Sequence, residues 1–181
     1  MQVSKLNIPD IIVIEPQVFV DDRGFFFESF NSIYFRRITG IETKFVQDNH
    51  SKSKKGVLRG LHYQLPPKTQ GKLVRVVKGE VFDVAVDIRR DSSTFGQWIG
   101  EFLSEYNKKQ LWIPPGFAHG FLSMRDDTEL LYKTTNFYSK THERSIVWND
   151  PKINISWPKN STIFLSIKDK MGSMLQSADL L

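Results

Sequence analysis

Residues 56–78, GVLRGLHYQLPPKTQGKLVRVVK, hold two short apolar runs joined by a Pro-Pro turn and Gly71. From 57 to 63 the side chains alternate, which predicts a strand with Arg59, Leu61 and Tyr63 on one face and Leu58, Gly60 and His62 on the other. Residues 72–77, KLVRVV, alternate in the same way behind Lys72. An imidazole, a guanidinium and an ammonium gathered on a β scaffold make a site for an anionic substrate with a proton to move. A buried, satisfied histidine beside two edge-strand cations fits the same spacing, and these residues alone leave both readings open.

Working outward, the rest of the chain continues the β pattern. Residues 11–14 form an apolar strand stopped by Glu15-Pro16, and Asp21-Asp22-Arg23-Gly24 reads as a tight turn. FFFESF at 25–30 predicts a strand, and 31–37 a brief helix capped by Asn31 or Ser32. Residues 45–51 start apolar and end polar, as a strand does when it runs onto a pocket rim. KSKK at 52–55 reads as a solvated loop. GEVFDVAVDI at 79–88 places Asp83 inside a strand, where a carboxylate needs a cation or backbone donors. Strands are also predicted at 98–103, on both sides of the Pro114-Pro115-Gly116 turn, and at 128–135 around Tyr132. Residues 166–170 lead into a C-terminal helical tail. About ten short strands at ~8–12-residue spacing, with Gly, Pro or Asp between them, indicate an all-β sandwich or barrel. With 181 residues and no repeat or linker, one domain over 1–181 is expected.

Composition narrows the function. The 14 Phe, 5 Tyr and 4 Trp favour pleated, half-buried surfaces, and the absence of Cys removes disulfides, thiolate nucleophiles and Cys-based metal sites. The net charge of +5 suits an anionic partner, but no RNP, helix-turn-helix or zinc-finger pattern supports nucleic acid. No window reaches the ~18 apolar residues of a membrane span, and the first ten residues lack the features of a signal peptide. A cytoplasmic protein with no membrane partner is expected.

Pro114-Pro115-Gly116-Phe117-Ala118-His119 resembles the second cupin motif, which raises the question of metal. The first motif needs a His-x-His pair, and here it is His62-Tyr63-Gln64, so no metal and no cofactor is expected. Without metal, His62 is a candidate general base, with Asp83 or Asp169 as its orienting carboxylate. Tyr132 fits an opposing acid, and fits equally a core aromatic with its hydroxyl at the edge.

Eight segments in order carry a family resemblance: DDRGFF.E, FVQDNHS, VLRGLHYQ, GKLVRV, G.V.DVAVDIR, IPPGFAHGF, LLYKTT and the late Lys168-Asp169. Together they span about residues 20–170, and the chain resembles the dTDP-4-dehydrorhamnose 3,5-epimerases of dTDP-rhamnose biosynthesis, which serves cell-surface polysaccharide. The resemblance implies a cupin-like jelly-roll barrel with short helices, including a C-terminal one, and dTDP-4-dehydro-6-deoxy-D-glucose as substrate. It implies that His62, paired with Asp169, abstracts the C3 and C5 protons, that Lys72 stabilises the enolate, and that Tyr132 returns a proton from the opposite face. Arg59 and His119 then bind the diphosphate. Glu28, Gln47, Asp48 and Asn49 contact the thymidine, and Tyr138 stacks on its base. Glu143 and Lys168 match further binding positions, and Arg23 reaches over from the partner of a homodimer. The resemblance sets Asp83 beside Lys72 without assigning it a role. A mono-epimerase acting at C3 or C5 alone shares His62 and Tyr132 and remains the alternative. A non-catalytic sugar-binding module has no need of the acid and base.

Overall fold

The computed structural model describes residues 2–159 and 162–181. Thirteen strands and two helices occur among these residues. In chain order they are β1 (Gln2–Lys5), β2 (Ile12–Glu15), β3 (Phe19–Asp21), β4 (Gly24–Phe26), α1 (Ser32–Thr39), β5 (Gln47–Ser53), β6 (Leu58–Gln64) and β7 (Lys72–Lys78). After these come β8 (Glu80–Asp87), β9 (Trp98–Ser104), β10 (Gln110–Ile113), β11 (Phe117–Ser123), β12 (Thr128–Thr134), β13 (Glu143–Ser145) and α2 (Ile167–Lys170).

Two antiparallel sheets face one another. One has the order β1-β2-β10-β7-β12-β5 and the other β13-β6-β11-β8-β9, while β3 and β4 form a separate hairpin. The cupin-like jelly roll is therefore a sandwich of two sheets, each with free edges, rather than a barrel closed by hydrogen bonds. Alternation decides what fills the space between them. Val74 and Val76 of β7, Leu111 and Ile113 of β10, Leu130 of β12 and Phe117 and Phe121 of β11 meet in one buried cluster. Each such side chain contributes about 1.5–3 kcal/mol by leaving water. The same inward faces continue past this cluster as polar residues, and that end of the sandwich holds the site.

The outer faces are covered separately. Helix α1 starts at Asn31, whose Oδ1 accepts from the N–H groups of Ile33 and Tyr34 at 3.0 and 3.1 Å, and it lies on the six-stranded sheet through Phe35, which joins Ile12, Ile14, Leu73 and Trp112. Gly40, at φ 72°, ends it. Phe35 then packs edge-on against Trp112 and Phe45, with ring centroids 5.4 and 5.6 Å apart. Behind the five-stranded sheet, Leu61, Tyr63, Val84, Val86 and Ala118 are covered by Leu175 and Ala178 of the C-terminal segment.

Strand β6 departs from the expected alternation. His119 pairs with His62, but Phe121 pairs with Arg59, so three steps along β6 match two along β11. This bulge sits at Gly60, whose φ of +132° side chains rarely adopt. A Cβ on Gly60 would lie 2.4 Å from Gly120 Cα, so the two strands approach closely only as glycines. The extra residue turns Arg59 to the same cavity as His62, whereas strict alternation had put them on opposite faces.

Other corrections are local. The strand predicted over 25–30 ends at Phe26. Strand β5 runs through Ser53 into the expected basic loop, and the C-terminal helix stops at Lys170. Strands β1 and β13 were not anticipated. Among the described residues no helix is long and apolar enough to cross a membrane.

Candidate active site

The polar end of the sandwich encloses a cavity of about 350 Å³. Strand alternation supplies its walls. Gln47, Asn49 and Ser51 project from β5, Tyr132 from β12 and Lys72 from β7. Arg59 and His62 come from β6 and His119 and Phe121 from β11, on the opposite sheet. Tyr138, Glu143, Ser166, Lys168 and Asp169 close the open end.

His62 is bound to Asp169, with Nε2 2.6 Å from Oδ1. Asp169 is buried, and its Oδ1 also accepts from the Gly60 N–H at 3.2 Å while its Oδ2 accepts from the Ser166 hydroxyl at 2.6 Å. Burial by itself raises a carboxyl, but the donors His62, Ser166 and Gly60 outweigh it and hold Asp169 at about 2. The carboxylate is thus ionised at neutral pH beside an imidazole that keeps its second ring nitrogen free, among the described residues. That is the arrangement of an oriented general base.

Lys72 is 8% exposed, with Nζ 3.4 Å from the His62 carbonyl oxygen. Burial brings its ammonium down to about 8, opposed in part by Asp83 and Glu143. On the neighbouring strands His119 Nε2 lies 2.9 and 3.0 Å from the two Asp83 oxygens. Burial holds His119 below the ordinary histidine range in spite of that carboxylate. Asp169 is therefore the partner of His62, and Asp83 is the partner of His119. Both imidazoles are committed to carboxylates, and no group of three or more metal-ligating side chains occurs among the described residues.

Tyr132, on β12 of the other sheet, has its phenol raised by burial, partly countered by Arg59. Arg59 is braced by the Ser53 hydroxyl at 3.2 Å and the Lys52 carbonyl at 3.1 Å. No carboxylate pairs with it among the described residues, which leaves its charge for an anionic ligand. At the mouth, Lys168 pairs with Glu143, which accepts from the Tyr138 hydroxyl at 3.0 Å. The Tyr138 N–H donates to Gln47 Oε1 at 2.9 Å, which stands an exposed aromatic ring at the rim.

Three residues named from the sequence lie outside this cavity. Asp48 falls between Gln47 and Asn49 on β5, so its side chain turns outward, 2.9 Å from Lys133 Nζ. Glu28 accepts from Asn31 Nδ2 at 3.1 Å. Arg23 sits in the β3–β4 turn, bonded at 2.6 Å to Asp21, with its side chain 90% exposed. Conversely, Ser51, Tyr63, Gln64, Gln70, Phe121 and Ser166 line the cavity and were not named. Alternation from Gln47 and Asn49 reaches Ser51, and alternation from His119 reaches Phe121. Ser166 carries the signal of a helix cap. Gln64 and Gln70 have none.

A base–carboxylate pair on one wall, a phenol on the other and three cations between suit acid–base chemistry on an anionic, aromatic-bearing molecule. Comparison with known proteins agrees. The family profile of dTDP-4-dehydrorhamnose 3,5-epimerase matches residues 5–177. The dTDP-4-dehydrorhamnose 3,5-epimerase of Shigella flexneri is 60% identical over 179 residues, 99% of this chain and 98% of that one. The crystal structure of dTDP-6-deoxy-D-glucose-3,5-epimerase from Legionella pneumophila Philadelphia 1, in complex with dTDP-4-keto-L-rhamnose, superposes with a TM-score of 0.96. It is 49% identical, over 98% of this chain and 94% of that one. A 3'-monoepimerase from Streptomyces bikiniensis is also similar, at 32% identity and a TM-score of 0.90, over 98% of this chain and 88% of that one. With a profile match across nearly its whole length and such identity to its relatives, this chain belongs to the dTDP-4-dehydrorhamnose 3,5-epimerase family.

Proposed function

We propose that the cavity binds dTDP-4-dehydro-6-deoxy-D-glucose and inverts C3 and C5, giving dTDP-4-dehydro-L-rhamnose. The observation that carries this reading is the placement of base and acid on facing sheets: His62 on β6, held by Asp169 of α2, and Tyr132 on β12. Both carbons neighbour the C4 ketone, so loss of either proton leaves an enolate. The free ring nitrogen of His62 takes the proton, and the electron pair passes to the C4 oxygen. The Lys72 ammonium stabilises that oxygen where charge develops. The Tyr132 hydroxyl then protonates the carbon from the other face. Proton loss from His62 and uptake by Tyr132, both exchanged with solvent, restore the enzyme before the second carbon reacts.

Binding follows from the remaining walls. Arg59 and His119 take the diphosphate, Gln47 and Asn49 the thymidine, and Tyr138 stacks on the base. Glu143 and Lys168 close the mouth as an ion pair. Asp48 and Glu28 make no contact with substrate bound in their own chain's cavity. Arg23 acts instead on the neighbouring subunit of a homodimer. Support for that comes from its hairpin, which exposes Phe19, Val20, Phe25 and Phe26 and stands clear of its own cavity. The reaction uses no cofactor, and the enzyme works in the cytoplasm on a soluble nucleotide sugar.

Two variants test the roles. His62→Ala should abolish solvent exchange at C3 and C5 together, by roughly 10²–10⁴-fold. Tyr132→Phe should lose inversion but keep exchange, because the enolate regains a proton on the face it left. Inversion at the wild-type rate in Tyr132→Phe would show the phenol to be a structural aromatic.

A further inference from the structure

We propose that Ser166 is a positioning residue for the proton transfer, holding the Asp169 carboxylate in the orientation that keeps Oδ1 on His62. This role presupposes the His62–Asp169 dyad proposed above. Ser166 is the extended residue before α2, at φ −68° and ψ 164°, and its hydroxyl makes two bonds to the same residue. It accepts from the Asp169 N–H at 3.1 Å and donates to Asp169 Oδ2 at 2.6 Å. Capping a helix needs only the first of these. The second closes a ring from hydroxyl to carboxylate and takes away the freedom of Asp169 to rotate.

The buried carboxylate depends on that ring. Its side chain is 4% exposed, so its lone pairs are met by the protein. Oδ1 has two donors, His62 at 2.6 Å and the Gly60 N–H at 3.2 Å. Oδ2 has Ser166 alone among the described residues. The other charged groups nearby are engaged elsewhere. Lys168 pairs with Glu143, His119 with Asp83, and Arg59 is held by Ser53 and Lys52. Lys72 approaches the His62 carbonyl, Tyr132 stands on the opposite sheet, and Lys170 is exposed at the end of α2. None of them donates to Oδ2 among the described residues. Without the hydroxyl, Oδ2 loses its protein donor on the exposed side of the dyad, and the carboxylate is free to turn toward solvent at the expense of the bond to His62.

The hydroxyl also shares the charge of the carboxylate and, with His62 and the Gly60 N–H, helps keep Asp169 ionised.

The test is a steady-state series on the full-length enzyme with the dTDP-4-keto-6-deoxyglucose substrate, read as the separate effects on kcat and KM. Ser166→Ala and Ser166→Gly should each lower kcat roughly tenfold with little change in KM. Ser166→Thr, which keeps the hydroxyl, should stay within about threefold of wild type. Glycine caps a helix nearly as well as serine, so a purely structural Ser166 would leave Ser166→Gly with the wild-type kcat. That result, with Asp169→Asn inactive, overturns the role given to Ser166 while the dyad stands. An Asp169→Asn enzyme with wild-type kcat removes the dyad, and this role with it.

Discussion

Replacing Lys72 by methionine removes the buried ammonium proposed to meet the C4 oxygen while keeping most of its volume. At about 4 Å and an effective dielectric of about 20, a unit charge pair is worth about 4 kcal/mol. On the rate this is about 10³-fold, the scale of losing one oxyanion donor. Stability should move the other way. Burial lowers the Lys72 ammonium from 10.5 to about 8, so its charge at neutral pH costs the folded state about 3 kcal/mol. The sign is that of a depressed cation: the cost is full below pH 8 and vanishes as pH rises from 8 to 10.5. Lys72→Met is therefore expected to be slower and more heat-stable at pH 7, as strained functional groups commonly are when removed. In the wild type, kcat/KM should fall above about pH 8 as the ammonium is lost. Lys72→Arg, whose guanidinium stays charged, should be slower at pH 7 but flat to pH 9.5. The assays are kcat/KM by NMR of the sugar between pH 6 and 9.5, and a thermal melt at pH 7. A flat wild-type profile, or Lys72→Met within tenfold of wild type, refutes the enolate role.

The exposed hairpin with Arg23 gives a complementation prediction: Arg23→Ala and His62→Ala subunits, each inactive alone, should recover part of the activity when mixed. Proven subunit exchange without recovery would place Arg23 in its own site. Because His62 and His119 are each taken up by a carboxylate, activity after exhaustive chelation should match that of untreated enzyme. A loss restored by a divalent ion would contradict the metal-free scheme.

The two-sheet architecture was legible because its signal is local. Alternation at 72–77 and 79–88, with turns at Asp21–Gly24 and Pro114–Gly116, survives in the structure as β7, β8 and the connections around them. The short edge strands β1 and β13 were not legible, since four exposed residues and three half-buried ones carry no hydrophobic pattern. The facing of Arg59 was misread because a bulge is set by the partner strand: it exists only where Gly60 meets Gly120 of β11. Partner choice was equally non-local. Asp83 and Asp169 were both open to His62, and only the pairing of β8 with β11 gives Asp83 to His119. Asp48 could have been set apart from its neighbours on alternation alone, since it lies between two inward residues. Ser166 shows the limit in the other direction: its sequence context announces a cap, but not that the same hydroxyl holds a carboxylate.

The most direct test of the account is the wild-type reaction run in deuterium oxide, with the product examined by NMR at each carbon. One cavity with its base on β6 and its acid on β12 should give a product carrying deuterium at both C3 and C5, with both centres inverted. Deuterium at one carbon only, with the other retaining its configuration and its proton, would contradict the double inversion proposed for this chain.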